Sequence, residues 1–190
     1  MEKRPQMAAS GASIDLGSDW NVTIGQKPSV RFASLKSWAD EEANRYFSGT
    51  ASYEKSFEVP ASFPGPGNRT WIDFGDGQSL DVQPQRNGMR TWYDPPIREA
   101  AVIYVNGQKA GALWCPPYKL DVTRFLKTGN NSIRIVVGNT ALNFMSGRKL
   151  PDYKLLNLRF GERFQPQEME KILPLPSGLI GTVRITSYGK

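Results

Sequence analysis

Asn106-Gly107 separates two short runs, Ala100–Val105 (AAVIYV) and Gln108–Trp114 (QKAGALW). No other stretch of the chain constrains its fold so tightly. An Asn-Gly pair supports the φ > 0 geometry of a two-residue turn whose twist matches that of antiparallel strands, so a β-hairpin is expected here. A second strand signal lies in Gly49–Val59 (GTASYEKSFEV). Ala51, Tyr53, Phe57 and Val59 fall on one face, with Ser52, Glu54, Ser56 and Glu58 on the other. That alternation predicts a strand with one buried and one solvated side.

Further strands are expected at Ser18–Ile24 (SDWNVTI), Arg69–Gly75 (RTWIDFG), Ser132–Gly138 (SIRIVVG) and Leu179–Tyr188 (LIGTVRITSY). Residues 34–44 (SLKSWADEEAN) are the best helical candidate, short enough to amount to one or two turns. Asp121 reads as the N-cap of a short helical turn ending near Gly129. Residues 139–167 are expected to be irregular, and 76–98 to form a long loop ordered by its prolines and aromatics. With 18 Gly and 14 Pro as punctuation, these short strands predict an all-β fold, a jelly-roll β-sandwich. The expected organisation is a flexible tail over 1–17 and one sandwich domain over 18–190.

Composition narrows the chemistry. The 190 residues include no histidine, which removes Ser-His-Asp and Cys-His machinery and all His-ligated metal sites. One cysteine, Cys115, cannot form an internal disulfide and is expected as a small buried hydrophobe. The net charge of +6 permits acidic partners. Lysines and arginines are nevertheless interleaved with acids, without a basic run, so no nucleic-acid partner is expected. No apolar run approaches the ~18 residues of a membrane span, and no membrane partner is expected. The N-terminus has no apolar h-region and does not read as a signal peptide.

Several longer pieces carry a resemblance. They are Trp114-Cys115-Pro116-Pro117-Tyr118, Asn139-Thr140-Ala141-Leu142-Asn143, Gly161-Glu162-Arg163-Phe164-Gln165-Pro166-Gln167 and Leu175-Pro176-Ser177-Gly178-Leu179-Ile180-Gly181. With the strand GTASYEKSFEVP, IDFG, VNG and the DVT-x-x-L-x-x-GxN turn, the chain from Gly49 onward resembles the galactose-binding-like β-sandwich of family 2 glycoside hydrolases. The longer pieces resemble the C-terminal region of family 106 α-L-rhamnosidases. In that family the catalytic carboxylates sit on a preceding barrel, to which no residue here corresponds. The resemblance therefore implies a non-catalytic accessory domain and no catalytic residue. It also implies a periplasmic or secreted setting, and as partners a rhamnose-containing oligo- or polysaccharide and a hydrolase catalytic domain.

Among the residues themselves, exposed aromatics beside polar groups are the chemistry of sugar recognition. Arg90, Trp92, Tyr93 and Asp94 in the long loop, with Trp114 and Tyr118 after the hairpin, are the expected ligand-contacting set. Trp20, Tyr53 and Trp71 read as core or sheet-surface packing. Asp73/Asp76, Glu41/Glu42 and Asp94 are the available carboxylates, each explained by a turn, a solvated charge or an Arg partner. No cofactor is expected. Asp73, Asp76 and Asp81 surround glycines as calcium ligands could, but they lack the EF-hand spacing, and an Asx turn is the favoured reading. The alternative function is a protein-docking or structural domain of a larger hydrolase, using residues 139–167.

Overall fold

The computed structural model describes residues 9–63, 67–79, 93–149, 152–161 and 172–188. The first strands are β1 (Ala9–Asp15), β2 (Ser18–Ile24), β3 (Val30–Ser34), β4 (Thr50–Val59) and β5 (Arg69–Asp73). Three two-residue strands follow: β6 (Gln78–Ser79), β7 (Tyr93–Asp94) and β8 (Ile97–Arg98). Then come β9 (Ala100–Val105), β10 (Gln108–Leu113), β11 (Lys119–Asp121) and β12 (Gly129–Gly138). Short helices α1 (Leu142–Ser146) and α2 (Lys154–Phe160) precede β13 (Gly178–Leu179) and β14 (Arg184–Tyr188).

These strands make the expected β-sandwich. One sheet has the order β10-β9-β12-β4-β2-β3 and the other β1-β14-β5-β11, with all pairings antiparallel. The alternation read from the sequence sets their facing. Ala51, Tyr53, Phe57 and Val59 of β4 are buried, as are Ile133, Ile135 and Val137 of β12. They join Ile72 and Ile185 from the smaller sheet in one apolar core. Trp20 and Tyr53 are fully buried there and meet edge to face, with centroids 6.3 Å apart. Asn106 and Gly107 take φ of 50° and 78°, the paired left-handed conformations that the hairpin requires.

Four expectations change. Residues 9–15 are not tail but strand β1, which pairs with β14 and covers what would otherwise be a sheet edge. Residues 34–44 hold no α-helix, only two 3₁₀ turns at Trp38–Asp40 and Glu42–Asn44. There Trp38 is drawn wholly into the core, and tertiary burial outweighs helix propensity. Residues 139–167 contain α1 and α2. Cys115 is exposed, because it follows the end of β10 in a loop that leaves the core.

Two of the segments carrying the resemblance, residues 139–143 and 175–181, bond to each other and to the turns before β4. Asn143 is buried, and its amide donates to the Leu175 carbonyl at 2.8 Å and accepts from the Leu175 N–H at 3.0 Å. Asn139 donates to the carbonyl of Phe47 and to Ser177 Oγ, each at 2.9 Å, and accepts from the Gly49 N–H at 2.8 Å. The Ser177 N–H donates to Ser37 Oγ at 3.0 Å. The C-terminal segment is thereby fixed to both the 3₁₀ turns and α1.

Candidate functional site

A cleft of about 500 Å³ opens where three loops meet: Phe74–Gln78 after β5, Asp94–Arg98 across β7 and β8, and Ile180–Thr182 after β13. This volume lies within the range of small-molecule sites. Two glycines let the loops approach so closely. A Cβ on Gly77, whose φ is +76°, would stand 2.4 Å from the Asp94 carbonyl oxygen and 2.6 Å from the Tyr93 hydroxyl. One on Gly181 would stand 2.6 Å from Pro96 Cβ and 2.7 Å from the Phe74 carbonyl oxygen. Backbone bonds secure the rest: β6 pairs with β7, and the Ile180 N–H donates to the Pro96 carbonyl at 3.0 Å.

The lining joins polar groups to apolar walls. Asp76, Gln78, Asp94 and Thr182 offer hydrogen-bonding groups, while Leu35, Pro95, Pro96 and Ile180 supply apolar surface. Arg98 lies beneath, its side chain only 10% exposed, and it ion-pairs with Asp94, whose carboxylate stays 41% exposed. The Arg98 Nε is buried without a hydrogen-bond partner. Asp94 is thus a fixed acceptor, held in place by the arginine under it. Such an arrangement suits a ligand rich in hydroxyls, which needs both donors and acceptors at set positions.

The expected site residues are distributed unevenly around this cleft. Asp94 lines it. Tyr93 lies beside it and stacks on Tyr118, with centroids 6.4 Å apart and planes within 6°. Tyr118 is buried, so its ring backs Tyr93, and the expectation that it faces a ligand is corrected to this supporting place. Its carbonyl accepts from the Phe74 N–H at 3.0 Å, which ties the Trp114–Tyr118 loop to the cleft floor. Burial pushes both phenols above their ordinary range, and the Asp76 carboxylate adds to the rise at Tyr93. Trp114 is 73% exposed. Arg90 and Trp92 lie outside the described residues. Arg98, Gln78 and Thr182 escaped the sequence reading, although the glycines on either side of Asp76 marked the loop that carries one wall.

Asp73 accepts from the Gly75 N–H at 2.8 Å, the Asx turn favoured above. Its carboxylate also pairs with Lys119 at 2.9 Å. Among the described residues no three His, Cys, Asp or Glu side chains gather as a metal site. Asp81 lies outside them. No described helix is long and apolar enough to cross a membrane.

No family model matches the chain. A putative β-glucuronidase of Formosa agariphila is 32% identical to it over 205 residues, an alignment that takes in 96% of this chain and 16% of that protein. Among solved structures, a rhamnosidase of a Novosphingobium species superposes with a TM-score of 0.64 at 24% identity, covering 98% of this chain and 16% of the other. A β-D-glucuronidase of Dictyoglomus thermophilum gives 0.59 at 16% identity, over 98% of this chain and 30% of the other. The structural likenesses establish the sandwich fold. The chain spans a small fraction of these relatives' own length, 16% of each of the first two.

Proposed function

We propose that the chain is a non-catalytic carbohydrate-binding accessory domain resembling the C-terminal domain of an α-L-rhamnosidase-type glycoside hydrolase of family 106. The cleft carries this reading. Its fixed Asp94–Arg98 pair, neighbouring Asp76 and Gln78, and proline walls supply the mix of polar and apolar contacts that sugars require. Tyr93, beside the cleft, and the exposed Trp114 are the proposed rings for apolar sugar faces; Arg90 and Trp92, proposed with them, lie outside the described residues. Rhamnose-containing oligosaccharides, titrated while tryptophan emission is followed, test the reading. A saturable change that Asp94→Asn weakens supports it, and a flat response to all sugars opposes it. Turnover of an aryl rhamnoside by the pure chain, lost in Asp94→Asn, would overturn its non-catalytic part.

A second reading, a docking domain of a larger hydrolase without sugar affinity, has its own observation. Phe144, Met145, Leu155 and Leu158 are 47%, 45%, 82% and 79% exposed. Apolar side chains left in water at this density mark interaction surfaces. Indifference to sugars, together with co-elution with a hydrolase catalytic domain in size-exclusion chromatography, favours this reading over the first.

A further inference from the structure

We infer that α1 and α2 dock on a protein surface with an apolar centre and a carboxylate rim; this rests on the docking reading and names the chemistry of its partner. At 3.6 residues per turn, Lys154, Leu158, Leu155 and Arg159 occupy an arc of about 140° on α2, the two cations bracketing the two leucines. Asn157, on the other side, is the half-buried residue of this helix. The chain that leaves α1 stays close by: Lys149, three residues past its end, and Asp152 are three peptide steps apart, at most about 11 Å. Arg148 there lies over the Phe144 ring, 4.1 Å from its centroid, so a cation and an apolar side chain again form one surface.

Cations outnumber acids on this surface. Arg148, Lys149, Lys154 and Arg159 face a single acid among described residues 141–161, Asp152, whose Oδ1 accepts from the Lys154 N–H. Among the described residues, none of the four cations makes an ion pair. A second copy of the same surface would be repelled, whereas a carboxylate rim would be attracted and steered into register. Leu155 and Leu158 would then fill the desolvated centre, where most of the binding energy of such interfaces is concentrated. The chain's small share of its relatives' length makes the remainder of a hydrolase the natural source of that surface.

The test titrates the full chain with two synthetic amphipathic helical peptides, identical on a leucine face and carrying either glutamates or lysines on the other. The expected result is binding of the acidic peptide alone. It should weaken at least tenfold between about 50 and 500 mM NaCl, and at least tenfold again in Leu155→Ser/Leu158→Ser or Lys154→Ser/Arg159→Ser. These positions are exposed, so the variants keep the fold. Equal binding of both peptides without salt dependence would overturn the carboxylate rim while leaving the docking reading standing. Binding of neither would remove both. Tighter binding to phosphatidylglycerol vesicles than to the acidic peptide would replace the protein partner with a lipid surface.

Discussion

The side chain of Asn143 pairs with both backbone groups of Leu175, accepting its N–H at 3.0 Å and donating to its carbonyl at 2.8 Å. An amide thus serves as a one-residue strand partner, 1% exposed, for a segment without regular structure. Asn143→Ala leaves the Leu175 N–H without its partner, while the Leu175 carbonyl still accepts from Ser177 Oγ at 3.1 Å. The expected outcome is a fall of about 1–3 kcal/mol in the free energy of unfolding, read by urea denaturation. Asn143→Asp keeps the acceptor but sets a buried carboxylate against the carbonyls of Leu175 and Arg45, and should destabilise at least as much as the alanine variant at neutral pH.

Gly77 and Gly107 share nearly the same φ, +76° and +78°, in different surroundings. A Cβ at Gly107 meets nothing within 4 Å, so Gly107→Ala bears only the left-handed backbone penalty of about 1–2 kcal/mol. Gly77→Ala adds a collision with the Asp94 carbonyl. It should therefore destabilise more than Gly107→Ala in parallel thermal melts, and it alone should reduce sugar binding, by tenfold or more.

Lys119 connects the two sides of the smaller sheet's outer face. Burial by itself would lower its ammonium, but the hydrogen bond and charge of Asp73, with Tyr188, outweigh that and hold it above 10.5. A cation raised in the folded state contributes stability that is full below the unfolded value and is lost as pH rises through the folded one. The stability difference between wild type and Lys119→Met should therefore be constant at neutral pH and shrink above about pH 10.5. Thermal melts from pH 7 to 11.5 measure it.

Trp114 and Cys115 should behave as surface groups. Cys115 in the folded chain should react fully with a thiol reagent without denaturant. Acrylamide should quench the Trp114 contribution to emission while sparing the fully buried Trp20 and Trp38. Trp114→Ala should alter stability by less than about 0.5 kcal/mol, yet weaken sugar binding about tenfold if its ring stacks on the ligand.

Wherever one face meets the core and the other meets water, the fold was legible in the sequence. The alternation of β4 and the Asn106-Gly107 turn are of this kind, because period and turn chemistry are local properties. β1 was not legible. Ala9–Asp15 is small and polar, and it is strand only because β14 presents an edge to it. Trp38 lies in a helix-like pattern but is captured by a core assembled from distant strands. Of the site, Asp94 and Tyr93 were readable as polar and aromatic groups in a long loop. Arg98 was not, since nothing local distinguishes a buried arginine held by Asp94 from a solvated one. Tyr118 reads locally as a ligand-facing ring, because its stacking on Tyr93 is a contact with a distant part of the chain.

The central claim is that the cleft over Arg98 binds sugar, and calorimetric titration of the pure chain with a rhamnose-containing oligosaccharide tests it most directly. The account predicts saturable heat with one site per chain, reduced at least tenfold by Asp94→Asn and by Gly77→Ala. Absence of heat with any oligosaccharide, or an affinity unchanged in both variants, would contradict it.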